Sequence, residues 1–174
     1  MKRIIAFLLS LLILISLCSC NKVDFDTATI AVGNYYSDFE GLFIEIQKII
    51  CGEENLKLET RWTNATNYRF MYGESFAIEY YEKDKWVSCA KKDLYFHTVG
   101  YILEPGESVD KTYNIAKSFD VSKEGKYRLI TDCFEDGNSS VKYNLCAEFY
   151  VTPNDSIKKS SVDFKAQYIR TGSK

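Results

Sequence analysis

The chain contains a single histidine, His97, and lacks the short motifs that mark common catalytic sites. A Ser-His or Cys-His nucleophilic site would have to use His97, yet no Ser or Cys motif surrounds it. H-E-x-x-H, P-loop, G-x-S-x-G and C-x-x-C patterns are all missing, which argues against zinc, phosphate-transfer, hydrolase and thioredoxin-like chemistry. We therefore expect no catalysis, no metal site and no cofactor, with His97 structural or exposed.

The chain also lacks an excess of positive charge. Its 174 residues include 22 Lys and Arg against 24 Asp and Glu. Removing residues 1–19, whose charges are Lys2 and Arg3, would take the formal net charge from −2 to −4. This balance argues against nucleic acid and against an anionic lipid surface as the partner.

The N-terminus has the pattern of a signal peptide. Lys2 and Arg3 precede an almost continuous apolar run over residues 4–17. This run is shorter than the roughly 17–25 residues of a membrane-spanning helix, so a retained signal anchor is the weaker interpretation. A leader of this kind predicts export.

The end of the apolar run resembles the lipobox of bacterial lipoproteins, with Leu17, Cys18, Ser19 and Cys20 in sequence. The resemblance implies that residues 1–19 are removed and that Cys20 carries a diacylglyceryl group. Two buried acyl chains anchor a protein durably, whereas one holds it only marginally. We expect lipid attachment at Cys20 and a location on the outer face of the bacterial cytoplasmic membrane; ordinary secretion is the alternative.

Four cysteines remain after this processing: Cys51, Cys89, Cys133 and Cys146. An exported chain permits disulfides, and four thiols allow three full pairings. Small buried thiols in a strand-rich core are the other interpretation. The spacing of the cysteines does not distinguish disulfides from free buried thiols.

The rest of the sequence predicts an all-β domain. Strand patterns recur at the 8–12-residue spacing of sandwiches and barrels, without a convincing helix. Leu42, Ile44, Ile46 and Ile50 share one parity, and the alternating run from Leu56 to Trp62 forms a hairpin with them. We expect large buried areas for Trp62 and Trp86. The predicted layout is a tether over 20–39, a sandwich over 40–152, and a tail over 153–174 that forms an additional edge strand or is disordered. The sequence does not decide whether residues 29–32, inside the tether, form an extra strand or belong to the linker.

Five short sequence segments in this region resemble those of bacterial immunoglobulin-like domains on Gram-positive surface lipoproteins. They are Trp62-Thr63-Asn64, Tyr72-Gly73-Glu74 followed by Phe76, Lys85-Trp86-Val87, residues 103–107, and Gly125-Lys126-Tyr127-Arg128. The resemblance implies an antiparallel sandwich of about seven to eight strands. Tyr127 is placed like the tyrosine of a tyrosine corner, and Leu129 stands where antibody domains have their second cysteine, so that disulfide is missing.

The sequence favours a non-catalytic, lipid-anchored extracellular interaction module whose partner is a protein or a cell-wall glycan. One alternative is a proteinase inhibitor. Proteinase inhibitors of bacilli have similar Ig-like sequence segments in a similar order, and the loop over residues 64–72 could enter a protease cleft. Another is a glycan-binding surface built from tyrosines. An acidic turn offers oxygen ligands for Ca²⁺ but is also ordinary hairpin chemistry. The tyrosines are Tyr35, Tyr36, Tyr80, Tyr81 and Tyr101, and the acidic turn contains Asp132, Glu135, Asp136 and Asn138.

Overall fold

A computed structural model describes residues 29–51, 56–91 and 94–152. Over these residues the chain forms nine β-strands and no helix: β1 Thr29–Ser37, β2 Leu42–Ile50, β3 Lys57–Asn64, β4 Phe70–Glu82, β5 Lys85–Ser88, β6 Tyr101–Leu103, β7 Ser108–Asn114, β8 Gly125–Glu135 and β9 Asn138–Thr152. Nothing in this part of the chain is a helix of the length and apolarity needed to span a bilayer. The signal peptide, Cys20 and the tail over 153–174 lie outside the described residues.

The strands form two antiparallel sheets that face each other as a sandwich. The larger sheet has the order β1-β9-β8-β4-β5, with β6 pairing beside β5 on β4, and the smaller has the order β2-β3-β7. Period-two alternation explains which side chains lie between them, because successive residues of a strand point to opposite faces. Leu58 and Trp62 of β3, like Leu145 and Phe149 of β9, are fully buried. The predicted all-β immunoglobulin-like sandwich is therefore confirmed, with nine strands instead of seven to eight.

Residues 29–32, for which strand and linker were both left open, form a strand that continues to residue 37. Residues 29–37, placed in the tether, form β1 and pair with β9 along its length, from Thr29 beside Thr152 to Ser37 beside Leu145. β1 is an edge strand with exposed side chains on both faces, so its sequence carries little hydrophobic alternation. Its position depends on hydrogen bonds to a strand more than 100 residues away, which local patterns do not reveal.

The prediction for β2 is right for its first half. Leu42, Ile44 and Ile46 are buried, but the pairing register with β3 shifts between Ile46 and Lys48. A β-bulge places an extra residue in one strand and so reverses the parity beyond it. Ile49 consequently packs against the core, while Ile50 no longer shares the face of Ile46.

Tyr127 forms the predicted tyrosine corner. Its ring is buried, and its hydroxyl donates to the backbone oxygen of Lys123 at 2.8 Å. The same hydroxyl accepts from the backbone nitrogen of Lys123 at 3.1 Å. Burial raises the pKa of Tyr127 well above its ordinary value. The corner ties the loop before β8 to the body of the sandwich, and Leu129 two residues later is completely buried.

Candidate functional site

The outer face of the larger sheet contains a groove of about 390 Å³. We call it the outer-face groove and define it by residues of four strands: Asn34, Tyr35, Tyr36, Trp86, Lys126, Arg128, Cys146 and Glu148. Its volume falls at the lower end of the roughly 300–1,000 Å³ common for small-ligand sites. It therefore has room for a small molecule or for a short segment of a polymer.

Strand alternation places the charged residues of the groove. In β8, Tyr127 and Leu129 point into the core, so Lys126 and Arg128 point outward. In β9, Ala147 and Phe149 are buried, and Glu148 between them faces the same outer side. Pairing then aligns three charges across the sheet, because Arg128 lies opposite both Glu79 of β4 and Glu148 of β9. The result is a row of alternating sign: Glu79, Arg128, Glu148.

A bulge in β1 forms one wall of the groove. The register between β1 and β9 shifts between Val32 and Tyr35, which leaves Gly33 and Asn34 out of the regular pairing. Gly33 lies directly over β9, since a Cβ atom at this position would come within 2.8 Å of the Tyr150 ring and 2.9 Å of Glu148 Cβ. Only glycine fits such a close approach without displacing its neighbours.

The opposite wall is Trp86, on the short edge strand β5. A tight turn joins β4 to β5, with φ of 50° at Lys83 and 61° at Asp84, the left-handed values that two-residue hairpin loops use. This turn pairs Tyr81 with Trp86, and their rings are 5.0 Å apart. Trp86 is partly buried on the outer face of the larger sheet, whereas Trp62 is completely buried between the sheets.

Two ion pairs balance the charge of the groove. Lys126 Nζ lies 2.7 Å from Glu148 Oε1, and Arg128 Nη2 lies 2.6 Å from Glu79 Oε2, which also accepts from Arg128 Nε at 2.8 Å. All four side chains are between 18% and 31% exposed. The hydrogen bond to Glu148 raises the pKa of Lys126, which stays protonated at neutral pH. The two cations are therefore matched by two carboxylates, Glu148 in the groove and Glu79, which lies beside the residues that line it.

Glu148 has unused hydrogen-bonding capacity. Its Oε1 atom receives Lys126, but its Oε2 atom is buried and has no hydrogen-bond partner within the described parts of the chain. An ionised carboxylate only accepts hydrogen bonds, and a buried acceptor without a donor costs about 1–3 kcal/mol. Water, or a ligand that reaches this oxygen, can supply the missing donor.

Aromatic rings surround the two cations. The guanidinium carbon of Arg128 lies 4.2 Å from the ring centroid of Trp86, and Lys126 Nζ lies 5.4 Å from it. These distances are within the range of cation–π attraction. Tyr36, at the β1 wall, is 62% exposed, and a hydrogen bond with Asp38 raises its pKa. Trp86 and Tyr36 are therefore held in place but remain available at the surface.

The structure brings together some of the predicted tyrosines. Tyr35 and Tyr36 line the groove, and Tyr81 contacts Trp86 beside it. Tyr80 instead points inward, where its hydroxyl donates to the Glu124 backbone oxygen at 2.8 Å. Tyr101 lies elsewhere, over the half-buried ammonium of Lys111.

The other predicted candidates do not form a site with the groove. His97 is exposed in the segment 94–100, which contains no strand. Asp132 pairs with Lys142 at 2.8 Å and Asp136 with Arg69 at 2.9 Å, so these carboxylates neutralise neighbouring cations. Within the described residues no group of three His, Cys, Asp or Glu side chains is arranged to hold a metal ion.

The loop after β3, considered above for protease inhibition, is curled around its own side chains. Asn64 is fully buried and donates from Nδ2 to the backbone oxygens of Tyr68, Leu103 and Glu104. Thr66 donates to Asn64 Oδ1, and Tyr68 N donates to Thr66 Oγ1. A segment that adds to a cleft as an extended strand needs free backbone groups, and this loop uses several of them internally.

All four cysteines of the described chain are free thiols. Cys51 is exposed, whereas Cys133 and Cys146 are buried on opposite faces of the larger sheet. Burial raises the pKa of Cys133 to about 12 and that of Cys89 to about 11. Cys146 lines the groove but is only 7% exposed, and burial raises its pKa too.

The arrangement of strands and the tyrosine corner define an immunoglobulin-like β-sandwich with a charged, aromatic groove on one outer face. A family model described as "Bacterial Ig-like domain" matches residues 38–150, and the chain belongs to that family. Domains of this class are generally non-catalytic and are typically extracellular or surface-exposed. No curated protein matches the chain significantly.

Proposed function

We propose that this protein is a non-catalytic, lipid-anchored extracellular module that binds its partner through the outer-face groove. The groove itself carries the proposal. It joins aromatic side chains, balanced charges and an unsatisfied carboxylate oxygen in one concavity, which is the combination expected of a recognition site. Most of these side chains are fixed by ion pairs or ring contacts, so little ordering is required on binding.

The anchor is the second part of the proposal. The sequence from Leu17 to Cys20 supports lipid attachment at Cys20, and residues 21–28 would link that lipid to β1. The family supports a location at the cell surface. A net negative charge makes the attached lipid, rather than attraction to anionic headgroups, the source of membrane binding.

The anchor is tested by fractionation of cells that express the full chain. Cys20→Ser removes the acceptor thiol and should release the protein into the medium. Cys18→Ser is the matched control, because it changes a nearby thiol without removing the acceptor, and it should leave the protein in the membrane. Continued membrane retention of the Cys20→Ser protein would contradict lipid anchoring.

The role of the groove is tested by binding to isolated cell envelopes of the host bacterium. The full chain, purified in mild detergent, is compared with Trp86→Ala and with Tyr95→Ala. Both variants remove one accessible aromatic ring, but Tyr95 lies in the segment 94–100 and is 87% exposed, away from the groove. We expect Trp86→Ala alone to lose binding. Equal binding by both variants would refute the groove as the interaction surface.

A further inference from the structure

The charge balance of the outer-face groove restricts the ligand. An anion placed beside Arg128 and Lys126 would also approach Glu79 and Glu148, and a cation near the carboxylates would approach the two basic groups. Like charges brought together in a partly desolvated site cost more than the same charges in water. The groove therefore selects against either net charge and favours a neutral ligand.

The hydrogen-bonding groups of the groove require a ligand that both donates and accepts. Glu148 Oε2 lacks a donor within the described residues. Glu79 uses Nε and Nη2 of Arg128, and the guanidinium still has N–H groups on its other terminal nitrogen. A ligand hydroxyl is suited to both, because it can donate to Glu148 and accept from Arg128. Several hydroxyls at fixed spacing match this floor better than a single polar group.

The aromatic walls require apolar surface on the same ligand. Trp86 and Tyr36 lie on opposite sides of the charged floor, on β5 and β1. Aromatic faces carry negative electrostatic potential and attract electron-poor C–H groups. A sugar ring has hydroxyls around its edge and polarised C–H groups on its faces, so it presents both kinds of surface within one small unit.

The position of the groove distinguishes this ligand from an extended peptide. Peptides that bind β-sheets commonly add a strand to an open edge, where backbone groups are available. The groove instead lies on the face of the sheet, across the paired strands β8 and β9, and is lined by side chains. We propose that the outer-face groove binds an uncharged segment of carbohydrate, with Glu148 accepting a hydrogen bond from a sugar hydroxyl and Trp86 and Tyr36 contacting the ring.

This inference rests on the proposed function, and its test uses the two tryptophans. Trp62 is completely buried between the sheets and Trp86 lines the groove, so a ligand-dependent change of fluorescence reports on Trp86. The full chain in mild detergent is titrated with neutral tetrasaccharides of glucose, mannose, galactose and N-acetylglucosamine. Tetragalacturonate is the charged counterpart of the galactose probe.

Two groove variants and one matched control accompany the titration. Glu148→Gln keeps the size of the side chain but removes its charge, and Tyr36→Ser changes an exposed ring outside the core. Asp110→Asn is the control for Glu148→Gln, since Asp110 is paired with Arg61 on the outer face of the other sheet. Loss of a hydrogen bond to a charged group is expected to weaken binding about tenfold or more.

The expected result is binding of at least one neutral tetrasaccharide, weakened by both groove variants and unchanged by Asp110→Asn. Tetragalacturonate should bind more weakly than its neutral counterpart. Stronger binding of the acidic probe, or binding indifferent to both groove variants, would overturn the inference. The carbohydrate inference fails if no sugar binds, or if protease treatment of the envelopes abolishes the binding that depends on Trp86. In either case the proposal of an interaction module that uses the groove is retained. If envelope binding is also independent of Trp86, both proposals fail.

Discussion

Tyr127→Phe should destabilise the domain measurably without creating a cavity. The substitution removes a hydroxyl that makes two hydrogen bonds with the backbone of Lys123, at 2.8 and 3.1 Å. The ring would keep its stacking on Phe149, with centroids 5.4 Å apart. Each lost hydrogen bond is worth about 0.5–1.5 kcal/mol, so we expect a loss of about 1–3 kcal/mol in the free energy of unfolding.

Urea denaturation followed by tryptophan fluorescence measures this loss. For a slope of about 1–3 kcal/mol per molar urea, the midpoint should fall by roughly 1 M. Tyr80→Phe is the matched control. It removes one hydrogen bond, which the Tyr80 hydroxyl donates to the backbone oxygen of Glu124. Glu124 is exposed, so its carbonyl can bond to water instead, and the free energy of unfolding should fall by only about 0.5 kcal/mol. Equal losses for the two variants would refute the structural role assigned to the corner.

The effect of Tyr127→Phe should also depend on pH. Burial raises the pKa of the folded Tyr127 hydroxyl above its unfolded value of about 10. The folded state therefore holds its proton more tightly, and the associated stability is fully present below pH of about 10. It is lost as pH rises from there towards the folded pKa. The difference in the free energy of unfolding between wild type and Tyr127→Phe should therefore decrease in that pH range.

Three further predictions concern β1, the residue that follows it, and the thiols. Gly33→Ala should lower the thermal midpoint and distort the groove, because the new methyl group would meet Glu148 Cβ at 2.9 Å; Gly100→Ala, which meets only the end of the Met71 side chain, should have less effect. Asp38→Asn should lower the free energy of unfolding near neutral pH, because hydrogen bonds from Asn144 stabilise the ionised Asp38 carboxylate and lower its pKa. The difference from wild type should vanish as the pH falls below about 4 and Asp38 becomes protonated. A difference that stays constant during acid unfolding would contradict this. In the folded protein, exposed Cys51 should react first with a maleimide and Cys133 last, as followed by peptide mass spectrometry, and rapid labelling of Cys133 would contradict its burial.

The sequence predicted the inward faces of the strands because alternation is local. Leu58 and Trp62 are an even number of residues apart in one strand, so their shared burial follows from the period of the strand itself. The outward position of Trp86 could have been found in the same way. Tyr80 points inward, so Tyr81 points outward, and a two-residue turn pairs Tyr81 with Trp86 on the same face. The size of the Trp86 side chain predicts a large buried area but does not indicate which face of the sheet it covers, and its pairing with Tyr81 determines that.

The groove could not be predicted because its parts are distant in the chain. Alternation indicates that Lys126, Arg128 and Glu148 point away from the core, and the sequence carries that signal. Their alignment with Glu79 depends on the register of three strands, and Glu79 is 49 residues from Arg128. The β1 wall depends on a bulge whose position is set by Gly33 against Tyr150. Register and bulge position are tertiary properties, and single-sequence patterns do not specify them.

The pairing of β1 with β9 determines how the domain would carry mechanical load. β1 is the first described strand after the proposed anchor, and it also provides a wall of the groove. A pull between the membrane and a held ligand would act along β1, from Thr29 towards Tyr36. Force directed along the strand loads its hydrogen bonds with β9 together, in shear, instead of breaking them one after another. Tension would thus pass through one strand and its neighbour, while the core between the two sheets stays outside the main force path.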